Sequence, residues 1–114
     1  RADVWYIEDE GQFIGLGITM SAPGRVLLDF FAIHSSLRGK GYGEEALRLA
    51  LKWSFDEMKC QRVTLDHFSD NVIANSLYKK VGFVPEGTMR NCGKKNGKYV
   101  DLCLMSMLRD EYYK

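Results

Sequence analysis

Gly39, Gly41 and Gly43 stand within five positions of the run Leu37-Arg38-Gly39-Lys40-Gly41-Tyr42-Gly43-Glu44-Glu45-Ala46-Leu47. Glycines packed this closely are costly unless the backbone needs their conformational freedom. An apolar strand pattern, Val26 to Ile33, leads into the run, and a long helical pattern leads out. The glycines therefore form a loop at a helix start, with bare N–H groups and the positive end of a helix dipole facing the same way. The chemistry this offers is anion binding, and the natural ligand is a phosphate or pyrophosphate. Arg38 complements those donors; Lys40 serves them too or is a solvated loop charge.

A second group of polar residues lies further along. Asn71, Ala74 and Tyr78 share one helical face at i, i+3 and i+7. Tyr78 offers a proton donor beyond a strand end, where ligands of α/β sheets collect. By itself a packed tyrosine with a satisfied hydroxyl is the better account of it. Asp29, His34, Asp66 and His67 are the candidate general bases, and the sequence does not rank them. Asp29 interrupts an otherwise apolar strand, where a carboxylate needs a partner or a rim position. Cys60, Cys92 and Cys103 form no C-x-x-C spacing and none lies beside a candidate base.

Regular elements must hold these groups in place. Val4 to Glu8 and Phe13 to Met20 read as a β-hairpin around Asp9-Glu10-Gly11. Gly15 and Gly17 mark either a close backbone approach or a weakened strand. Arg25 to His34 is a strand buried on both faces. From Tyr42 to Lys59 the pattern is helical, with Leu47, Ala50, Leu51, Ser54 and Met58 in one stripe, widened by Ala46, Leu49 and Trp53. Glu44–Arg48 and Lys52–Asp56 are spaced to pair. Gln61 to Phe68 is the next strand, so strand, helix and strand imply a right-handed parallel crossover. Val72 to Val81 is a second helix, with an N-cap offered by Ser69-Asp70-Asn71 and a terminating Gly82; Ile73, Leu77 and Val81 form its core stripe. Phe83 to Asn91 and Lys98 to Leu108 are strands joined by a turn at Gly93–Gly97, and the last is apolar on both faces and so internal. Arg90, Lys94, Lys95 and Lys98 around that turn read first as a solvated surface.

The 114 residues suit one domain, and 46% apolar with 27% charged residues argues against disorder. A net charge of +1 gives no case for nucleic acid, and no run has the length of a membrane span. The odd cysteine count favours a reducing, cytoplasmic setting over a disulfide framework or a zinc site.

Three anion-loop readings compete. The G-x-x-x-x-G-K-[ST] pattern is absent. Gly41-Tyr42-Gly43-Glu44-Glu45-Ala46 is a formal G-x-G-x-x-A dinucleotide fingerprint with Asp66 twenty residues beyond Ala46. That fold, however, opens on its fingerprint strand, and here a hairpin comes first. The third reading covers more of the chain. Arg38-Gly39-Lys40-Gly41-Tyr42-Gly43 resembles the Arg/Gln-x-x-Gly-x-Gly/Ala signature of the GNAT N-acetyltransferases. Asn71-Val72-Ile73-Ala74-Asn75-Ser76-Leu77-Tyr78-Lys79-Lys80-Val81-Gly82-Phe83 is similar to the N-x-x-A-x-x-L-Y-x-K-x-G-F helix of the same family. The resemblance runs from about Phe13 to Leu108. Pro85-Glu86-Gly87 and the strand after Gly97 look most like the branch that acetylates polyamines, ribosomal-protein N-termini or related amines.

The resemblance implies an α/β (α+β) fold, a mixed and mostly antiparallel sheet flanked by helices. It implies an acetyl-CoA-dependent transfer to an amine, small molecule or peptide N-terminus, by direct attack on the thioester and without a metal. Arg38, Gly39, Lys40, Gly41, Tyr42 and Gly43 would cradle the pyrophosphate, and Asn71 would hold the pantetheine arm. Backbone N–H groups near Phe31, Ala32 and Ile33 would meet the oxyanion, and Tyr78 would protonate the departing thiolate. Nucleic acid and membrane are not implied as partners; a homodimer is left open. Family members carry another strand and helices ahead of this hairpin, walling the acceptor side. Without them, and with Arg1 in place of Met, residues 1–114 are expected to be a single, N-terminally incomplete domain. A catalytically silent CoA-binding or interaction domain is the alternative, and a nicotinamide-dinucleotide-binding domain comes after it.

Overall fold

A computed structural model describes residues 1–114, apart from the side chains of Phe30 and Phe31. The order of elements is β1 (Ala2–Asp9), β2 (Gln12–Ala22), β3 (Arg25–Ile33), α1 (Tyr42–Lys52), β4 (Arg62–Phe68), α2 (Val72–Val81), β5 (Val84–Lys95), β6 (Lys98–Leu108) and α3 (Arg109–Tyr112). One six-stranded sheet runs β1-β2-β3-β4-β6-β5. Every neighbouring pair is antiparallel except β3 and β4, the two strands that α1 connects. The fold is the mixed, mostly antiparallel sheet with helices that the sequence implied, and β6 is internal to it.

The core gathers where α1 crosses the parallel pair. Val26, Leu47, Leu51, Phe55, Val63, Leu65, Phe83, Met105 and Met107 are buried together. Burial of a Leu or Phe side chain contributes about 1.5–3 kcal/mol, so this cluster anchors the helix to the sheet. Arg109 Nη1 donates to the Phe55 carbonyl at 2.9 Å and ties the end of β6 to the same region. Among the described residues no helix is long and apolar enough to cross a membrane.

Several local expectations are corrected. The α-helix from Tyr42 ends at Lys52 and passes into a π-helical turn, Trp53–Glu57, instead of running on to Lys59. Ser54 Oγ donates to the Ala50 carbonyl at 2.8 Å at that junction, where the ladder widens. Leu49 and Ile73 are 61% and 85% exposed, so neither joins a core stripe. Periodicity assigns a residue to a face, but the partner element decides how wide the buried face is. Asp56 accepts from Tyr113 Oη rather than pairing with Lys52. Strand β5 continues to Lys95, past the expected Asn91, through an irregularity between Met89 and Gly93. The turn is thereby confined to Asn96 and Gly97.

Two features of β3 shape everything that follows. Its pairing with β4 stops after Arg25–Leu27 against Arg62–Thr64, and beyond that point the strands part. Immediately past the parting, the β2 register shifts so that Ile18 faces Phe30 and Thr19 faces Leu28. Asp29 is the extra residue of this bulge, a device that bends a strand and re-aims its side chains. Gly15 answers its question in favour of close approach, since a Cβ there would lie 2.5 Å from the Ala32 carbonyl oxygen.

Candidate active site

The parted strands open onto a cavity of about 810 Å³. That is the size range of small-molecule and cofactor sites. Its walls come from β1, the bulge of β3, the inner face of α1, the end of β4 and the first two turns of α2. The glycine loop does not line it. The loop lies one helical turn ahead of Ala46, the first residue of α1 in the wall.

At the loop, Gly39 and Gly41 have φ of +79° and +83°, and Gly41 is the N-cap of α1 with no side-chain capping bond. A Cβ at either position would meet nothing within 4 Å, so backbone conformation and not space demands glycine. The first N–H with a partner after Arg38 is that of Glu45, which donates to the Gly41 carbonyl at 3.1 Å. Among the described residues the intervening N–H groups therefore form an uncapped nest at the positive end of α1. Arg38 Nε donates to the Ile33 carbonyl at 3.3 Å, pinning the loop to the end of β3. Tyr42 Oη donates to Asp9 at 3.0 Å and pins it to the β1–β2 turn. Lys40 is exposed.

Strand parity decides which amides of β3 face the cleft. His34 N–H donates to the Ile14 carbonyl at 2.8 Å, which makes that pair hydrogen-bonded within the β2–β3 ladder. Antiparallel pairs alternate, so Ala32, opposite Leu16, also turns its N–H into the ladder. Ile33 turns its N–H outward to the parted side. Phe31, opposite Gly17, has the same parity as Ile33, so of the three expected oxyanion positions the Phe31 and Ile33 amides face the parted side and that of Ala32 faces away.

Asn71 and Tyr78 both line the cavity. Asn71 Oδ1 caps α2 by accepting from the Ala74 N–H at 3.1 Å, leaving its amide NH₂ for a ligand carbonyl. Tyr78 is partly buried, its ring 5.8 Å from that of His67 and 6.1 Å from that of Phe83. Burial, and then the charge of Asp66, push its phenol above the ordinary value, so the hydroxyl keeps its proton at neutral pH. Glu44 pairs with Arg48 within α1 at 3.1 Å and with Lys80 at 2.7 Å, the second pair linking the start of α1 to the end of α2. At such exposure these pairs orient the helices more than they stabilise them.

The four candidate bases separate. His34 is exposed, caps the 3₁₀ turn Ser35–Leu37 through its Nδ1, and stands outside the cavity. Asp29, Asp66 and His67 line it. Burial raises the Asp66 carboxyl above the ordinary value of 3.8, and the neighbouring Asp29 charge raises it further. The group therefore favours the folded state when protonated, and that advantage is lost as pH rises through its raised folded value. Asp66→Asn is expected to raise the unfolding midpoint at neutral pH and to give no gain below 3.8. Denaturant titrations at the two pH values check this.

Glu8, Trp5 and Trp53 also belong to the wall; the helical period marked Trp53 only as part of an apolar stripe, and nothing marked Glu8 or Trp5. Trp5 Nε1 donates to Thr19 Oγ1 at 2.9 Å, and its ring meets Trp53 edge-on at 4.8 Å. The π-helical turn, where α1 departs from its period, carries Trp53 to this contact. Among the described residues, the charged groups in the wall are Glu8, Asp29 and Asp66, all acidic.

The cavity between the parted strands, with Tyr78 in its wall, thus lies one helical turn from the glycine loop at the start of α1. The sequence model of the Acetyltransferase (GNAT) family matches residues 1–83, and the chain belongs to that family. It is 36% identical over 94 residues to the spermine/spermidine N(1)-acetyltransferase of Bacillus subtilis, an alignment covering 75% of this chain and 62% of that protein. It is 31% identical over 83 residues to the prophage-derived uncharacterized N-acetyltransferase YokL of the same organism, covering 73% and 47%. The spermidine/spermine N-acetyltransferase SpeG from Vibrio cholerae matches the fold with a TM-score of 0.92 at 26% identity, over 98% of this chain and 69% of that one. The chain spans about half to three fifths of the length of these curated relatives.

Proposed function

We propose that the protein transfers an acetyl group from acetyl-CoA to a primary amine. The observation that carries this reading is the parted β3–β4 pair, with the glycine loop at the start of the connecting helix and Tyr78 in the wall of the cavity. Unpartnered N–H groups at Gly39 to Glu44 and the free amide of Asn71 suit a pyrophosphate followed by an amide-bearing arm. Bound acetyl-CoA supplies an activated thioester. The chain's own part is threefold: the Ile33 N–H donates to developing negative charge, the Tyr78 hydroxyl gives its proton to the thiolate sulfur, and the carboxylates take up the amine's proton. A preorganised N–H donor is worth about 3 kcal/mol of barrier.

The acceptor we infer is cationic, a polyamine before a peptide N-terminus. Glu8, Asp29 and Asp66 give the cavity an acidic lining with no Lys or Arg among the described residues, which attracts such an amine. The names of the Bacillus subtilis relative and of SpeG point the same way. Asp66, the carboxyl held higher by its surroundings, is the proton acceptor we assign. Free thiols at Cys60, Cys92 and Cys103 accord with a cytoplasmic setting. A spermidine N-acetyltransferase of Vibrio cholerae with a TM-score of 0.91 is described as dodecameric, and self-association of this chain, a homodimer or larger, is part of the reading.

The test is calorimetric titration with CoA, followed by acetyl-CoA consumption over polyamines, amino acids, aminoglycosides and peptide N-termini. Binding with turnover on a polyamine is expected. Binding without turnover on any amine would favour the silent CoA-binding domain, and NADH displacing CoA would favour the dinucleotide reading.

A further inference from the structure

His67 has a feature that the acetyl-transfer reading leaves unused. It is 7% exposed and lies on the buried face of β4 with Val63 and Leu65. Its Nδ1 lies 2.8 Å from the Phe68 carbonyl, an atom that can only accept, so Nδ1 carries the proton. In the neutral ring Nε2 is then a lone-pair acceptor. That atom is buried and has no hydrogen-bond partner among the described residues, the one side-chain polar atom there in this state. An unmet buried acceptor costs about 1–3 kcal/mol, and a ligand donor arriving at it recovers that cost. The ring lines the cavity, where a bound molecule can bring such a donor.

Two donors would visit the site: the amine, and an amide N–H of the cofactor arm. Consecutive strand residues point to opposite faces, so His67 and the exposed Asp66 look to different sides of β4. The cation belongs with Asp66 and Asp29. His67 lines the cavity together with Asn71 and Tyr78, its ring 5.8 Å from the tyrosine ring. An uncharged amide is the donor that this side accommodates.

We propose that His67 Nε2 accepts a hydrogen bond from an amide N–H of the pantetheine arm, making His67 a cofactor-positioning residue. The assignment rests on the acetyl-CoA reading and adds a specificity element to it, since Asn71 NH₂ offers a donor and His67 the matching acceptor.

Two substitutions split the ring's functions. His67→Asn keeps a donor near the Nδ1 position and removes the acceptor; His67→Gln places an acceptor near Nε2 and removes the donor. Titration calorimetry with CoA is expected to show affinity lowered about tenfold in H67N and within about threefold of the parent in H67Q. Adenosine 3′-phosphate 5′-diphosphate, which lacks the arm, should bind both variants and the parent alike. Thermal melts of each variant establish that it is folded. Equal CoA affinity in H67N and the parent overturns the assignment, as does an equal loss in H67N and H67Q. A fall in kcat with CoA affinity intact assigns the ring to the amine and overturns it too. If the parent itself fails to bind CoA, it is the acetyl-CoA reading that falls, an outcome distinct from all of these.

Discussion

Tyr78→Phe is expected to lower kcat about a hundredfold while leaving the dissociation constant for acetyl-CoA unchanged. The substitution removes one oxygen and keeps the ring that packs against His67 and Phe83. What is lost, on the proposed mechanism, is the proton donor for the departing thiolate. A phenol near 10 is a weaker acid than a thiol near 8.5, so the transfer depends on geometry and on the donor being protonated at all times. The cavity supplies the second condition. Burial and the Asp66 charge both raise the Tyr78 phenol, so deprotonation cannot limit the rate until pH passes the ordinary tyrosine value. Paired measurements of kcat and CoA affinity decide the matter, and an unchanged kcat removes Tyr78 from the chemistry.

Gly41→Val is the second large effect. Gly41 sits at φ +83°, where a β-branched residue is strained by about 1–3 kcal/mol whatever the surrounding space. The open space around a Cβ there means the side chain itself meets no obstacle. The loop relieves the strain by turning the peptide, which takes the Gly41 and Tyr42 N–H groups out of the nest. CoA affinity should fall by more than tenfold while the melting temperature drops by a few degrees. A variant with a lower melting temperature and full CoA affinity would show that the nest does not hold the pyrophosphate.

These two residues were readable from the sequence for one reason: each belongs to a short run whose chemistry is local. A glycine at a helix start announces its φ and its bare amides without reference to the rest of the chain. The helix from Asn71 to Gly82 likewise carries its own cap, period and stop. The strands of the hairpin, the parallel crossover and the internal position of β6 also follow from local pattern and chain connectivity.

Tertiary structure decided the rest because each remaining point depends on residues far apart in the chain. The parting of β3 from β4 after Leu27 and Thr64 is a fact of pairing, invisible in either strand alone. The bulge at Asp29 comes from its register with β2, and with it the approach of Asp29 to Asp66. The same register turns the Ile33 amide toward the cleft and the Ala32 amide away from it. Leu49 and Ile73 satisfied the helical period, yet no partner covers them among the described residues. His34 and His67 look alike in sequence; one caps a turn in solvent and the other buries an unmet acceptor in the cavity. Local chemistry thus pointed to an anion cradle and the family resemblance to Tyr78 as a proton donor, while long-range pairing determined which carboxylates, amide and imidazole stand about the cavity.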